Sequence, residues 1–236
     1  MLIGADFEKI EFSLLGLNLV EPNALIGDFI LASIAFLFAY KINKLKQKIT
    51  FFKHWYWFFA LFGISFIGGG LGHSLFNYWG VQGKYLGWLL AIVCIYFIES
   101  ALISIYPSDN KKQLFSRLAQ TKFVLAFLVE IGIFIFIDLE SDPQKGLLIP
   151  GLNTAIGSIL CLGMLGWMFQ KQITDSFKYF WMVPLTMIPA AIIQSYKISM
   201  YPWFDRNDLS HIFLLISLFL YWWGVKGYST YLEQKS

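Results

Sequence analysis

The sequence predicts an all-α integral membrane bundle of seven transmembrane helices, with the N-terminus outside and the C-terminus cytoplasmic. Three observations carry that expectation. Hydrophobic residues make up 57% of the 236-residue chain and charged ones 14%, with a mean hydropathy of +0.60, so a water-soluble globule would lack the polar surface to cover itself. Apolar runs of about 20 residues, the length a helix needs to cross a hydrocarbon core, occur seven times. With seven crossings, Lys and Arg divide 13 against 5 between the two faces, and the richer face, which also takes the C-terminus, is expected to be cytoplasmic.

Taken in order, residues 1–22 carry Asp6, Glu8 and Glu11 and lack the basic start and unbroken apolar core of a cleavable signal, which reads as an interfacial lead-in. The spans are expected near 23–42, 55–77, 85–106, 118–138, 148–169, 178–201 and 208–229, with Pro184 and Pro189 bending the sixth. Short connections and the absence of a linker or internal repeat make 23–230 one domain, followed by a short cytoplasmic tail at 231–236. Trp55, Trp79, Trp203, Trp222 and Trp223 fall at helix ends, where an aromatic belt accounts for them. Cys94 and Cys161 lie inside apolar runs and read as small packing residues.

The seven spans turn scattered polar residues into layers. At about 1.5 Å of rise per residue, Asp28 on helix 1, His73 near the end of helix 2, Lys197 near the end of helix 6 and His211 in the first turn of helix 7 share the outer layer, with Asp205, Asn207 and Asp208 just before His211. Ionisable groups inside a membrane cost roughly 2.5–3.5 kcal/mol each on insertion scales, so they face the bundle interior and take partners. The pattern admits two readings. Imidazole and carboxylate donors suit zinc, with Asp208 and His211 on one helical face and His73 arriving from helix 2. Alternatively, the same residues form a hydrogen-bonded cluster in which His211 pairs with Asp28 and Asp208 caps helix 7. Glu99 and Glu130, nearer the membrane middle, are candidates for ligand contact or for hydrogen bonds to neighbours such as Ser100 or Gln194. The Gly68–Gly70 run and Gly72 suit close helix packing, or room for a ligand beside His73.

Three segments, "VEPNALIGDF" at 20–29, "IGGGLGHSLF" at 67–76 and "NDLSHIFLLISLFLYWWGVK" at 207–226, together resemble the alkaline ceramidase branch of the seven-helix hydrolase superfamily known as CREST. The resemblance implies calcium-binding positions at Glu21, Asn23 and Asp28, and zinc ligands at His73 and His211. The chain departs from that pattern where Asn207 stands in place of the first histidine of a His-x-x-x-His pair and Gly69 in place of a serine, and no acid falls between 74 and 98. A zinc set of His73, His211 and a carboxylate from Asp208 or Asp28, with Asn207 at the departed position, would remain.

Two functions are therefore expected as alternatives. In the first, the chain is a divergent zinc-dependent hydrolase of a lipid amide or ester, with Asp28 or Asp208 as general base and Lys197 steadying the oxyanion. In the second, it is a non-enzymatic membrane protein that binds or transports a small ligand, with Glu99, Glu130 and the His/Asp cluster as polar contacts. Membrane lipid is the expected partner and the cell membrane the expected location. Nothing resembles a nucleic-acid or nucleotide site, and Lys226 lies too far along helix 7 for a retinal Schiff base.

Overall fold

The computed structural model describes residues 1–235. Seven of its helices are long and apolar enough to cross a membrane, the make-up of a multi-pass membrane protein. These are α1 (Pro22–Asn43), α2 (Thr50–Ser74), α4 (Tyr85–Ser104), α5 (Asp109–Phe136), a fifth span running from α6 (Lys145–Gly157) through a π-helical stretch (Ser158–Leu165) into α7 (Gly166–Gln172), α8 (Lys178–Ser195) and α9 (Arg206–Lys235). The short α3 (Phe76–Trp79) and a 3-10 turn (Gly80–Lys84) lead into α4 and extend the third span.

The lead-in folds as a β-hairpin. Strands β1 (Glu11–Leu14) and β2 (Leu17–Val20) pair antiparallel, with Glu11 opposite Val20 and Leu14 opposite Leu17. The first ten residues cross over the end of the bundle: Leu2 bridges Ser199, and the Gly4 amide donates to the Tyr196 carbonyl at 3.0 Å. Pro22 starts α1, where its missing N–H is no loss, and Glu21 before it sits in the left-handed region at φ 56°.

Local sequence also explains the irregular fifth span. Gly157, Gly163 and Gly166 flank or interrupt the π-helical stretch, where a widened turn is accommodated. Pro184 and Pro189 both lie within α8, which continues to Ser195 and stops there. The sixth span is thus shorter than the sequence reading of 178–201, and Lys197 belongs to the following loop, in the left-handed region at φ 48°. Lys122, counted by sequence with the cytoplasmic loop, lies well inside α5.

Helix α2 packs between α1 and α4, α9 packs against α8 and α1, and the fifth span lies between α4 and α8, while α5 rests on α4 and α6. The apolar core concentrates in the half away from the hairpin. There Phe51, Trp55, Phe58 and Phe59 from the start of α2 meet Phe177 and Phe180 at the start of α8 and Tyr221 and Tyr228 from α9. Trp55 stacks on Phe180 with ring centres 5.1 Å apart, and Phe51 meets Tyr228 edge-on at 4.9 Å. Aromatic pairs of this kind add about 0.5–1.5 kcal/mol each beyond their burial. That rigid aromatic half leaves the hairpin end to hold the polar groups. Cys94 and Cys161 are free and buried, as packing residues.

Candidate functional site at the hairpin end

Glycines let three helices close on one layer of charge. A Cβ at Gly70 would stand 3.0 Å from the Asp28 Cβ, and one at Gly27 would stand 2.9 Å from His211 Nδ1, so α2 and α9 both approach α1 where side chains would hold them off. Asp28, 3% exposed, lies two turns after Glu21 on α1. His73 comes from the last turn of α2 and His211 from the second turn of α9.

The result is a pair of histidine–carboxylate contacts side by side. His73 Nδ1 hydrogen-bonds Glu21 Oε2, and Lys9 Nζ lies 3.0 Å from the other oxygen of the same carboxylate. His211 Nε2 lies 3.2 Å from Asp28 Oδ1, while His211 Nδ1 is buried without a hydrogen-bond partner. The sequence reading placed His73, His211 and Asp28 in one layer, and the structure adds Glu21 to them there through His73.

Burial alone would raise the Glu21 pKa, but the hydrogen bond and charge of His73, joined by Lys9, outweigh it and hold the carboxyl below the usual carboxylate range. A group whose pKa is lowered on folding contributes stability above its unfolded pKa and loses it as the pH falls toward the folded value. Thermal unfolding in detergent is therefore expected to show the melting temperature falling as the pH drops below about 4, the unfolded Glu range. Glu21→Gln should flatten that acid limb; an unchanged limb would show that the acid dependence arises elsewhere.

The start of α9 is closed by a reciprocal cap. Asp205 Oδ1 accepts from the amides of Asn207 at 2.6 Å and Asp208 at 3.3 Å, and Asp208 Oδ2 accepts from the Asp205 amide at 3.0 Å. The N-cap is therefore Asp205, three residues earlier than the sequence reading of Asp208. Asn207 Oδ1 accepts from Gln194 Nε2 at 3.2 Å. Asn23 donates to the Trp203 carbonyl. The three positions that the resemblance assigned to calcium thus turn to different partners: Glu21 to His73 and Lys9, Asn23 to the loop before α9, and Asp28 to His211.

Above this layer lies a cavity of about 140 Å³, lined by His73, Glu21, Asn207 and Asp208 from the helices and by Asp6, Glu8 and Lys9 from the strap of N-terminal residues. Two cations hold Asp6: Lys197 Nζ at 3.1 Å and Arg206 at 3.2 Å. Lys197 is engaged there, in the loop, and is not among the cavity-lining side chains. The residue that sequence reasoning passed over is Lys84. It lines the cavity with its ammonium 5.4 Å from the centre of the Phe76 ring, which also carries Lys9 at 4.3 Å, and among the described residues it makes no ion pair. Its only signal in the sequence was a lysine directly before an apolar run.

Among the described residues, no three His, Cys, Asp or Glu side chains converge as a metal site. The donor types suit zinc, and two of the histidine nitrogens are occupied or enclosed in this arrangement. His73 Nδ1 is held by Glu21, and the unpartnered His211 nitrogen faces the Gly27 backbone.

A second polar group lies deeper, on the other side of α4. Lys122 Nζ is 2.9 Å from Glu99 Oε1 and donates to Asn153 Oδ1 at 2.5 Å and to its carbonyl at 3.3 Å. Glu99 thus turns to a lysine, and Gln194 instead donates to Ser210 Oγ at 2.9 Å. Glu130 is fully buried, with neither carboxyl oxygen hydrogen-bonded among the described residues.

Seven helices long and apolar enough to cross a membrane, with a charged, strap-covered cavity at one end, are the make-up of a multi-pass helical membrane protein whose polar chemistry is gathered where α1, α2 and α9 meet. A family model described as a family of unknown function, DUF6962, matches residues 24–230, and the chain belongs to that family. The match starts after the hairpin and takes in all seven spans. No curated protein and no solved structure matches the chain.

Proposed function

We propose that this protein binds a small amphiphile bearing an anionic head group, with the head in the cavity at the hairpin end and the tail among the lipid-facing helices. The observation that carries the reading is Lys84. Glu21 is matched by Lys9 and His73, Asp6 by Lys197 and Arg206, Asp205 by amides of the first turn of α9, and Asp208 by the Asp205 amide. Among the described residues that leaves Lys84 and the strap residue Glu8 as cavity-lining charges with no ion pair, and Lys84 is the cation of the two, near the Phe76 ring. A carboxylate or phosphate entering beside it gains a charge-assisted bond in a partly desolvated site, where such bonds are worth about twice a neutral one. In this reading the Glu21–His73 and Asp28–His211 contacts organise the cavity floor.

A second reading, a metal-dependent hydrolase of a lipid amide or ester, draws on the resemblance to the alkaline ceramidases and on the buried, unpartnered Nδ1 of His211. It requires His211 Nδ1 to move away from the Gly27 backbone, against which it now packs, while Asp28 keeps its contact with Nε2.

One set of preparations separates the two. In nanodiscs, oleate or lysophosphatidate is expected to raise the melting temperature of the unmodified protein. Uncharged monoolein should not, and Lys84→Met should abolish the shift. An equal shift with monoolein, or a shift that survives Lys84→Met, would overturn the anionic-ligand reading. Zinc content near one per chain, lost in both His73→Ala and His211→Ala, would favour the hydrolase. Oleate responding without lysophosphatidate would mark a carboxylate ligand, and the reverse a phosphate.

A further inference from the structure

We propose that the tip of the N-terminal hairpin, Leu14 to Leu17, inserts into the head-group layer of the same bilayer that the helices cross, as an apolar anchor beside the cavity. Leu15 is 94% exposed, with Leu14 at 51% and Leu17 at 42%. Leu15 and Gly16 form the two-residue turn and both have positive φ, 52° and 79°. Turns of this handedness are dominated by Asn, Asp and Gly at the first position, because any Cβ there crowds the following carbonyl oxygen and a short polar side chain is solvated or bonds locally. A leucine combines the strain with full exposure of an apolar side chain. In water both are unfavourable; at a membrane surface the exposed side chain becomes the favourable part.

Position supports the same occupant. The Asn18 amide donates to the Tyr78 hydroxyl at 3.0 Å, so the end of the hairpin lies beside α3, where Tyr78 is 53% and Trp79 48% exposed. Exposed Tyr and Trp at a helix end are the side chains of the interfacial belt. The tip therefore continues the exposed apolar surface of α3. Residues 13–18, SLLGLN, carry no charge, whereas Glu11 stands at the opposite end of the hairpin. Insertion stops in the head-group layer, because a two-stranded ribbon has unpaired backbone edges that the hydrocarbon core excludes.

The anchor has a consequence for the cavity. The strap that bears Asp6, Glu8 and Lys9 runs directly into β1, so a tip fixed in the membrane holds the chain that covers the cavity mouth. This consequence rests on the cavity reading; the insertion itself does not.

The test uses a nitroxide at Leu15→Cys and, as control, at Glu11→Cys, in the full chain in phosphatidylcholine nanodiscs; Cys94 and Cys161 are buried, and the unmodified protein reports their labelling. The expected result is a reversal of accessibility, with the label at 15 colliding mainly with oxygen and the label at 11 mainly with a water-soluble nickel chelate. Nickel access at 15 matching that at 11 would overturn the proposal. So would protection at 15 from both reagents, which would place the tip against another protein or a second copy of this chain. Leu15→Asn, which suits the turn, guards against misfolding as an explanation. It is expected to fold and to lower oxygen access at a label on position 14, and unchanged access there would also overturn insertion.

Discussion

Lys122→Met is expected to be among the most destabilising single changes in the protein, at about 3–5 kcal/mol, the range for removing one partner of a buried ion pair. Glu99 is 3% exposed and its Oε1 rests 2.9 Å from Lys122 Nζ, while its other oxygen is buried with no hydrogen bond. Without the ammonium, the carboxylate would face the apolar walls of α4 and the fifth span with no compensating charge. Gly157 makes room for the carboxylate against the fifth span, since a Cβ there would stand 2.6 Å from Oε1. The pair also ties α4 to α5 and, through Asn153, to α6, joining three helices at the point where the π-helical stretch begins. The double variant Glu99→Gln/Lys122→Met is expected to recover much of the loss, because removing both charges removes the desolvation penalty. Unfolding of reconstituted protein in a denaturant series measures both. A single variant as stable as the double would show that the ion pair is not coupled.

Gly72→Ala carries the other large expected effect. A Cβ at that position would fall 2.3 Å from the carbonyl oxygen of Gly83, a backbone atom that cannot rotate away, and Gly83 in turn sits against the Gly72 Cα. The α2 end and the 3-10 turn must then separate, at a cost of about 1–3 kcal/mol or more, as for overpacked cores. His73 is the next residue, so the shift should also move its ring away from Glu21 and weaken the cavity floor. Gly69→Ala is the matched control, since its Cβ would come only to 3.4 Å from the tip of the Asp28 side chain. A melting-temperature loss for Gly72→Ala well beyond that for Gly69→Ala is the expected result; equal values would mean that the 3-10 turn yields freely.

Much of the architecture was legible in the chain because the bilayer imposes a simple rule on sequence. A helix crossing hydrocarbon satisfies its own backbone and shows apolar side chains, so α1, α4 and α9 announce themselves by length and hydropathy alone. The layer of His73, His211 and Asp28 was legible for a related reason: the rise per residue fixes depth once the span boundaries are known. The hairpin was not. Its strands are four residues each, and their pairing with a turn of Leu15 and Gly16 lacks the Asn-Gly signal that marks such turns in water. The end of α8 was misplaced because Tyr196 to Tyr201 remain apolar enough to extend a span, while the chain turns at Lys197 to reach Leu2 and Asp6.

Partnership is where the sequence fell short. Asp28 with His211 was among the pairings the spacing allowed, but Glu21 with His73, Lys122 with Glu99 and Asp6 with Lys197 and Arg206 were not among them. Depth along a helix is a one-dimensional quantity, and hydropathy with K/R placement yields it. The angle at which each side chain faces its neighbours depends on how seven helices rotate against one another, which glycines at Gly27, Gly70, Gly72 and Gly157 permit only in the packed bundle. The chain by itself determined a multi-span helical protein with its polar residues sorted by depth. Tertiary packing alone decided which charges meet, because neutralising a buried charge requires contact in three dimensions, and among the described residues it leaves Lys84 lining the cavity without an ion pair.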